Sequence, residues 1–254
     1  MAITIKSARE IEIMRRSGAI LAEVHALLRN AVRPGIPTDE LDQMAHELIT
    51  SLGAKPSFLG HQGFPKSVCT SVDSEVVHGI PNGERLANGQ IVSIDVGVLL
   101  DGYHTDAAFT LAVGEVEFEV GELIRATEDA FEIGCVKAIA GNRVGDISAA
   151  IQLHADELGY GIVRELTGHG VGRQLWEDPQ IPNYGEAGTG PLLRRGMTIA
   201  IEPMLTLGDP ETFIYPDGWT IATVDGTPAA HYEHTLLITD GDPEILTKPG
   251  ATVV

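Results

Sequence analysis

Four acidic residues lie where hydrophobic β-strands are predicted, and an ionised carboxylate in such a place is strongly disfavoured unless its charge is compensated. Two belong to the first half of the chain and two to the second: Asp95, Asp106, Glu202 and Glu233. A single acidic residue of this kind is often surface-exposed or paired with a lysine. For the first pair, however, no Lys or Arg occurs between Arg85 and Arg125. The pattern therefore favours a bound cation.

The Asp101-Gly102 pair is a turn signal that joins the segments carrying Asp95 and Asp106 into a predicted hairpin. Pairing about Leu100-Asp101 sets the two carboxylates directly opposite each other, whereas pairing about Asp101-Gly102 sets them diagonally. In both registers the two side chains share one face, because side chains alternate along a strand. Like charges so placed repel each other, which again favours a cation between them.

A histidine in a glycine-rich segment is the fifth candidate. His169 lies in residues 167–172, with the sequence TGHGVG, whose small residues leave an imidazole room to approach a ligand. Taken alone, a histidine is more often structural than a ligand. Four carboxylates and one neutral imidazole, however, can hold two divalent cations, with the acids bridging and positions left open for water. Such an oxygen-rich site suits Mn, Fe or Co about as well as Zn.

Hydrophobic periodicity predicts the elements that must position these residues. Helices are predicted over about residues 7–32, 38–53, 117–140 and 144–158, with Thr38 as the cap of the second and glycine closing the last two. β-type runs cover residues 67–72, 90–99, 103–113, 197–206, 219–224 and 231–239. No low-complexity linker separates the halves, so residues 1–254 are interpreted as one α+β domain, with helices flanking a mainly antiparallel sheet. The halves are faintly alike, which suggests an internal duplication.

Composition and charge exclude several classes of protein. The 254 residues are 43% hydrophobic, enough for a substantial core, and no run approaches the roughly 18 apolar residues of a membrane span. The formal charge of −19 repels phosphate backbones, so direct nucleic-acid binding is not expected. Cys69 and Cys135 are too few for a disulfide framework and lack C-x-x-C spacing. We therefore expect a reduced, cytoplasmic protein that does not bind membranes.

Several ordered motifs resemble those of the type I methionine aminopeptidases, which are small metallopeptidases. The resemblance covers nearly the whole chain. It implies an α+β pita-bread fold with an internal pseudo-twofold duplication, as a single catalytic domain, and a monomer is expected. Its markers are GFPKS at residues 63–67, HGIP at 78–81, IDV at 94–96, the strand of Asp106, GHG at 168–170, IEPM at 201–204 and YEHT at 232–235.

The resemblance implies metal-dependent removal of the N-terminal methionine from peptides and nascent proteins with a small second residue. The implied ligands of two divalent metal ions (Co, Mn, Fe or Zn) are Asp95, Asp106, His169, Glu202 and Glu233. Asp106 and Glu233 would bridge the two ions, and Glu202 would also accept a proton. His78 would form a hydrogen bond beside the scissile nitrogen without being a ligand.

A pocket for the methionine side chain is implied as well, lined in this family by aromatic and sulfur-bearing residues. Phe58 stands where a cysteine is common, His61 where tyrosine is usual, and Leu175 where phenylalanine is usual. A second catalytic histidine is expected seven residues after His169, and this chain has Trp176 there. Trp176 is expected to slow the reaction, with His61 as a possible substitute donor. The positions corresponding to the pocket are Phe58, His61, Phe64, Cys69, Leu175 and Trp219.

Three alternatives stay open at the level of the sequence. A creatinase or prolidase would need a sizeable amino-terminal domain ahead of the metal-binding strands, whereas Asp95 already lies in the first half of this chain. A catalytically silent binding protein built on the same fold would commonly lose ligands, whereas all five candidate ligands persist. An aminopeptidase with altered first-residue selectivity would keep the metal site and change only the pocket.

Overall fold

The computed structural model describes residues 3–248 of the chain. Its helices are α1 (Ala8–Ala31), α2 (Thr38–Ser51), α3 (Phe118–Lys137) and α4 (Val144–Leu158). A short 3₁₀ turn spans His61–Gly63. The strands are β1 (Lys55–Pro56), β2 (Val68–Val72), β3 (Glu75–Val77), β4 (Ile91–Leu100), β5 (Tyr103–Ala112), β6 (Gly161–Ile162), β7 (Thr167–Gly170), β8 (Glu177–Pro182), β9 (Thr198–Ile201), β10 (Met204–Thr206), β11 (Thr212–Ile214), β12 (Ile221–Thr223), β13 (Ala229–His231), β14 (Glu233–Leu237) and β15 (Glu244–Ile245).

All four predicted helices are confirmed, and the glycine predicted to close the last of them is observed there. Ser7 caps α1 in a capping box, in which its backbone N–H donates to Glu10 Oε2 at 2.8 Å. Gly159 closes α4 with a left-handed φ of 78°, a conformation that glycine adopts without steric cost. No helix in residues 3–248 combines the length and the apolar composition needed to cross a membrane.

Two predicted caps are wrong. The N-cap of α2 is Pro37, and Thr38 is the first helical residue. The Thr38 hydroxyl instead accepts from the backbone N–H of Asn82 at 2.9 Å, which ties the helix to the loop after His78. The last helical turn of α3 is closed by Ala138 rather than by a glycine. The contact with Asn82 therefore stabilises the start of α2, and the local sequence does not reveal it.

Within residues 3–248, nine strands form one sheet in which every pairing is antiparallel. The central order is β1-β4-β5-β14-β9-β7-β8, with β2 also paired to β4 and β15 to β14. Two smaller three-stranded sheets, β13-β10-β6 and β11-β12-β3, adjoin it in the described part of the chain. This arrangement confirms an α+β fold with a mainly antiparallel sheet.

The helices pack against the sheet through one continuous hydrophobic core. Helix α1 contacts β4 and β5, and α3 packs against α4. Fully buried residues of both halves belong to the same cluster, among them Leu21, Ile94, Phe131 and Ile199. Because the two halves share a core, the strands that meet at the centre of the sheet are held rigidly.

The predicted run 197–206 is interrupted in the structure. Strand β9 ends at Ile201, and β10 begins at Met204 and pairs in a different sheet. Pro203 has no N–H to donate to a ladder, so the strand stops before it. Glu202 is therefore released from strand geometry at the point where the chain crosses from the large sheet to a small one. The predicted strand 231–239 is divided in the same way, at Tyr232 between β13 and β14.

Candidate metal and substrate site

The register of the central sheet places the five candidate ligands on one face. Asp95 and Glu233 both lie directly opposite Ala108, and Asp106 lies two residues before it on the same strand. His169 lies opposite Ala200, and Ala200 is two residues before Glu202 in the chain. Residues directly opposite, or two apart, point to the same side of a sheet. The small side chains of Ala108 and Ala200 leave the space between the ligands open.

The hairpin between β4 and β5 has the second of the two predicted registers. Leu100 pairs with Tyr103, and Asp101 and Gly102 form the turn with φ values of 49° and 83°. Positive φ at both central residues is the geometry of a type I′ turn. Asp95 and Asp106 are consequently diagonal neighbours, not directly opposed.

His169 lies at the centre of the acidic cluster. Its Nε2 is 3.4 Å from Glu202 Oε1 and 4.0 Å from Asp106 Oδ2. The ligand atoms of Asp106, His169 and Glu233 all lie within 4.8 Å of one another. Two atoms bound to one transition metal at 2.0–2.2 Å are at most about 4.4 Å apart, so the distances of 3.4 and 4.0 Å from His169 Nε2 are compatible with a shared ion.

The environment of His169 selects one tautomer. Its Nδ1 lies 2.9 Å from the backbone carbonyl oxygen of Gly170, which can only accept, so Nδ1 carries the hydrogen. Nε2 then presents its lone pair to the carboxylates, as metal-binding histidines do. Glycine is required beside this histidine because a Cβ at Gly168 would lie 2.4 Å from the Ala200 carbonyl oxygen. Close strand packing thus explains the flanking glycine.

Burial raises the pKa of every carboxylate in the cluster. The pKa of Asp95 is raised to about 7 by burial, although a hydrogen bond from Asp106 opposes the shift. Burial and then neighbouring negative charges raise the pKa values of Asp106, Glu202 and Glu233 well above the ordinary range. Burial lowers the pKa of His169 to about 4 and keeps its imidazole neutral. The metal-free cluster therefore favours bound protons or cations over ionised carboxylates that have no counter-ion.

Buried carboxylate oxygens without hydrogen-bond partners, here called orphaned oxygens, indicate whether this cluster suits a metal. Asp95 Oδ1, Asp106 Oδ1 and Glu233 Oε1 are buried without a hydrogen-bond partner in the described residues. Leaving such groups unsatisfied is costly, and divalent cations are the partners that multiple carboxylates and a neutral imidazole accept. The residues therefore fit a divalent metal site.

His78 lies at the edge of the same cavity in a strained backbone conformation. Its φ of 60° is unusual for a residue other than glycine. The next residue, Gly79, fixes this geometry: its carbonyl accepts from the Thr70 N–H at 2.9 Å, and a Cβ there would lie 2.1 Å from the Thr70 carbonyl oxygen. Burial lowers the pKa of His78, which favours its neutral form. The loop thus presents an imidazole that is not among the clustered ligand atoms.

An apolar pocket adjoins the acidic cluster. Phe64 and Trp219 meet edge to face, with ring centroids 5.2 Å apart, and Phe58, Cys69 and Leu175 complete a buried cluster with Phe64. Phe58 is seated over Gly97, where a Cβ would lie 2.8 Å from its ring. The whole cavity has a volume of about 450 Å³. Every residue predicted for the site lines this cavity: Phe58, His61, Phe64, Cys69, His78, Asp95, Asp106, His169, Leu175, Trp176, Glu202, Trp219 and Glu233.

Trp176 borders the cavity and is 39% exposed. Its indole packs edge to face against the imidazole of His61. The following residue, Glu177, forms a buried ion pair with Lys6, 2.7 Å from Nζ to Oε2. This ion pair therefore attaches the amino-terminal segment to the residue that follows Trp176.

His231 also belongs to the site, and the sequence did not reveal it. It is 2% exposed and lines the cavity. Its Nε2 lies 3.9 Å from Glu202 Oε2 and 3.9 Å from Glu233 Oε2. Burial, and then the charge of His78, lower its pKa to about 3. The available signal was its position two residues before Glu233, which puts both side chains on one side of an extended segment.

Comparisons with known proteins agree with this geometry. Residues 12–240 match metallopeptidase family M24. The methionine aminopeptidase of Clostridium perfringens is 49% identical over 245 residues, which cover 96% of this chain and 98% of that protein. Methionine aminopeptidase 1 of Bacillus subtilis is 46% identical over 246 residues, which cover 97% of this chain and 99% of that protein.

Solved structures show the same fold. The crystal structure of methionine aminopeptidase from Thermotoga maritima matches with a TM-score of 0.96 at 44% identity, covering 97% of this chain and 100% of that one. The prolidase from Pyrococcus furiosus matches with a TM-score of 0.79 at 25% identity, covering 96% of this chain and 65% of that one. These likenesses confirm the α+β pita-bread fold.

Proposed function

The chain belongs to metallopeptidase family M24, and we propose that it removes the amino-terminal methionine from peptides and nascent proteins whose second residue is small. The observation that carries this proposal is the juxtaposition of two unlike surfaces in one cavity. Orphaned carboxylate oxygens surround His169 at one side, and the rings of Phe64 and Trp219 form the other. Methionine aminopeptidases at 41–49% identity over nearly the whole chain support it.

The ligand set that we propose comprises Asp95, Asp106, His169, Glu202 and Glu233. Divalent metal ions held there, with Mn, Fe, Co and Zn all suited to the donor set, would lower the pKa of a bound water and polarise the scissile carbonyl. Asp106 and Glu233 would hold metal together with His169. Their buried oxygens without hydrogen-bond partners, and the clustering of one ligand atom from each of the three residues within 4.8 Å, support this role.

The remaining residues act on the substrate in this proposal. Glu202 accepts a proton from the attacking water. His78 forms a hydrogen bond beside the scissile nitrogen. The apolar cluster of Phe58, Phe64 and Trp219 receives the methionine side chain, since a thioether packs well against aromatic rings. The free amino group is anchored near the carboxylates, which restricts the reaction to chain ends.

Release of free methionine from a Met-Ala-Ser tripeptide tests the proposal. The protein, reconstituted with Mn²⁺ or Co²⁺, is expected to release methionine, and a chelator is expected to stop it. A tripeptide with Asp in place of Met is the control for first-residue selectivity, because the pocket is apolar. Metal binding without methionine release would instead indicate a silent binding protein on this fold.

A further inference from the structure

His231 is a second buried imidazole at the acidic cluster, in addition to His169. His169 Nε2 approaches one oxygen of Glu202, Oε1, at 3.4 Å, and His231 Nε2 approaches the other, Oε2, at 3.9 Å. Neither ring nitrogen of His231 has a hydrogen-bond partner among residues 3–248. A buried imidazole without partners is unfavourable, so an acceptor for its N–H is expected in the working site.

The backbone of His231 is fixed on both sides, which leaves its side chain a narrow range of positions. The Thr110 hydroxyl donates to the His231 carbonyl oxygen at 2.8 Å and accepts from the His231 N–H at 3.0 Å. On the other side His231 pairs with Met204, two residues beyond Glu202. A side chain held so firmly next to a reacting group is suited to orient it.

The contrast with His169 indicates that His231 is a donor and not a metal ligand. The Nδ1–H of His169 is held by a backbone carbonyl, which directs the lone pair of Nε2 toward the carboxylates. Metal-binding histidines almost always have such a second partner. Nδ1 of His231 has none in the described chain. Its Nε2 is therefore free to carry the hydrogen.

The carboxylates of Glu202 and Glu233 lie at the same distance from His231 Nε2, but their backbones are constrained differently. Glu233 begins β14, which is paired with β5 and β9. Glu202 lies between β9 and β10, outside any ladder. Its carboxylate therefore needs an additional contact to fix its direction. A shift of about 1 Å brings Nε2 within hydrogen-bonding distance of Glu202 Oε2.

We propose that His231 is a positioning residue, whose Nε2–H donates to Glu202 Oε2 and orients that carboxylate both to bind metal and to accept a proton. The inference rests on the proposed function, because it assigns those two tasks to Glu202. It also predicts an effect on metal affinity, which is measured without any substrate.

Three substitutions of His231 distinguish the contribution of its N–H donor from that of the volume of its ring. His231→Gln keeps an N–H donor at about the same distance from the backbone. His231→Asn has a donor on a side chain too short to reach Glu202, and His231→Leu has no donor. His25→Gln is the matched control, because His25 is also buried but its Nε2 contacts the Ala107 carbonyl oxygen at 3.0 Å, outside the cavity. For each variant, the Kd of Mn²⁺ is measured by calorimetry on the metal-free full chain, and kcat and KM are measured on Met-Ala-Ser with the Mn²⁺ enzyme.

Loss of the N–H is expected to weaken Mn²⁺ binding about 10-fold and to lower kcat about 10- to 100-fold in the Leu and Asn variants. KM should change little, and His231→Gln should lie near wild type in both measurements. If His231→Leu fails to fold, the comparison of Asn with Gln carries the test. A Gln variant as impaired as Asn, or variants that all match wild type, would overturn the proposal. Wild-type protein that binds Mn²⁺ but releases no methionine would contradict only the proposed function, since the affinity series still reports on His231.

Discussion

The indole of Trp176 packs edge to face against the imidazole of His61, with ring centroids 4.9 Å apart and an interplanar angle of 84°. His61 Nε2 is buried and has no hydrogen-bond partner in the described residues. The two rings together form one border of the cavity, at the position where the family resemblance leads us to expect a second catalytic imidazole. An indole N–H can donate one hydrogen bond but cannot carry charge.

Trp176→His is therefore expected to raise kcat on Met-Ala-Ser. The donor that it restores would stabilise the oxyanion formed from the substrate carbonyl, and one such donor contributes about 10²- to 10³-fold in kcat. Part of that gain is absent if His61 already supplies a donor to the substrate carbonyl, so an increase in kcat of about 10-fold or more is predicted. Steady-state kinetics of the Mn²⁺ enzyme measure it.

Trp176→Phe is the matched control, since it keeps an aromatic ring beside His61 and removes only the N–H. It should not raise kcat. A wild-type kcat already near the typical value of about 10 s⁻¹, with Trp176→His equal or slower, would show that the site is rebuilt around tryptophan.

His78→Ala is expected to retain the fold and the bound metal but to lose about 10²- to 10⁴-fold in kcat. The reason is that His78 faces the cavity from a loop and, among residues 3–248, forms no ion pair with a carboxylate of the cluster, in contrast to His169 and His231. Elemental analysis and melting temperature measured alongside kcat separate the two roles. Loss of metal in this variant would make His78 a ligand, and an unchanged kcat would remove it from the reaction.

Metal binding is expected to release protons and to strengthen as pH rises. Burial raises the pKa of Asp95 to about 7 and those of Asp106, Glu202 and Glu233 well above their ordinary values, so the metal-free site holds protons near neutral pH. Each proton displaced makes the affinity rise about tenfold per pH unit below the pKa concerned. Calorimetry at pH 6.5 in two buffers of different ionisation enthalpy counts the protons. Identical heats in both buffers would contradict the raised pKa values.

Lys6→Met is expected to destabilise the protein by about 3–5 kcal/mol at pH 7, because it leaves the carboxylate of Glu177 buried without its partner. Both side chains are only 5–6% exposed. Burial raises the pKa of Glu177, but the hydrogen bond from Lys6 and others outweigh it, so the pKa lies below 4.5. A lowered pKa means that the contribution is complete above pH 4.5 and is lost as pH falls through the folded-state value. The variant and wild type should therefore converge in acid.

Urea denaturation at pH 7 and below pH 4 measures this difference. Arg195→Ala is the control, since the Arg195–Asp240 pair is exposed at 76% and 69%. An exposed pair contributes about 1 kcal/mol or less. Equal effects of the two substitutions would contradict the assignment of a buried pair at Lys6.

The acidic cluster could be predicted from the sequence because a carboxylate in an apolar strand is a local signal. Asp95 and Asp106 also lie close along the chain, so a hairpin alone brings them to one face. His231 could not be found in this way, because a histidine in a short strand does not show which carboxylate it faces. Its position depends on the register of β13 against β10, which follows the break at Pro203.

Helices α1 to α4 were predicted well because their periodicity extends over several turns. Several strands of two or three residues, such as β3, β6 and β11, were not predicted, since so short a run carries no measurable alternation, whereas β12 lies within the predicted run 219–224. The end of α2 at Pro37 and Thr38 depends on contacts with Asn82, far away in the chain. The internal duplication stays a prediction.

We propose that the cluster of four carboxylates around His169 holds the metal ions on which methionine release by this chain depends. A titration examines this assignment: metal-free protein receives Mn²⁺ in increments, and bound metal and methionine release from Met-Ala-Ser are measured at each step. Wild type is expected to bind about two ions per chain and to gain activity as they bind, and Asp106→Ala is expected to do neither. Methionine release that is complete before metal is added, or is equal in wild type and Asp106→Ala, would contradict the claim.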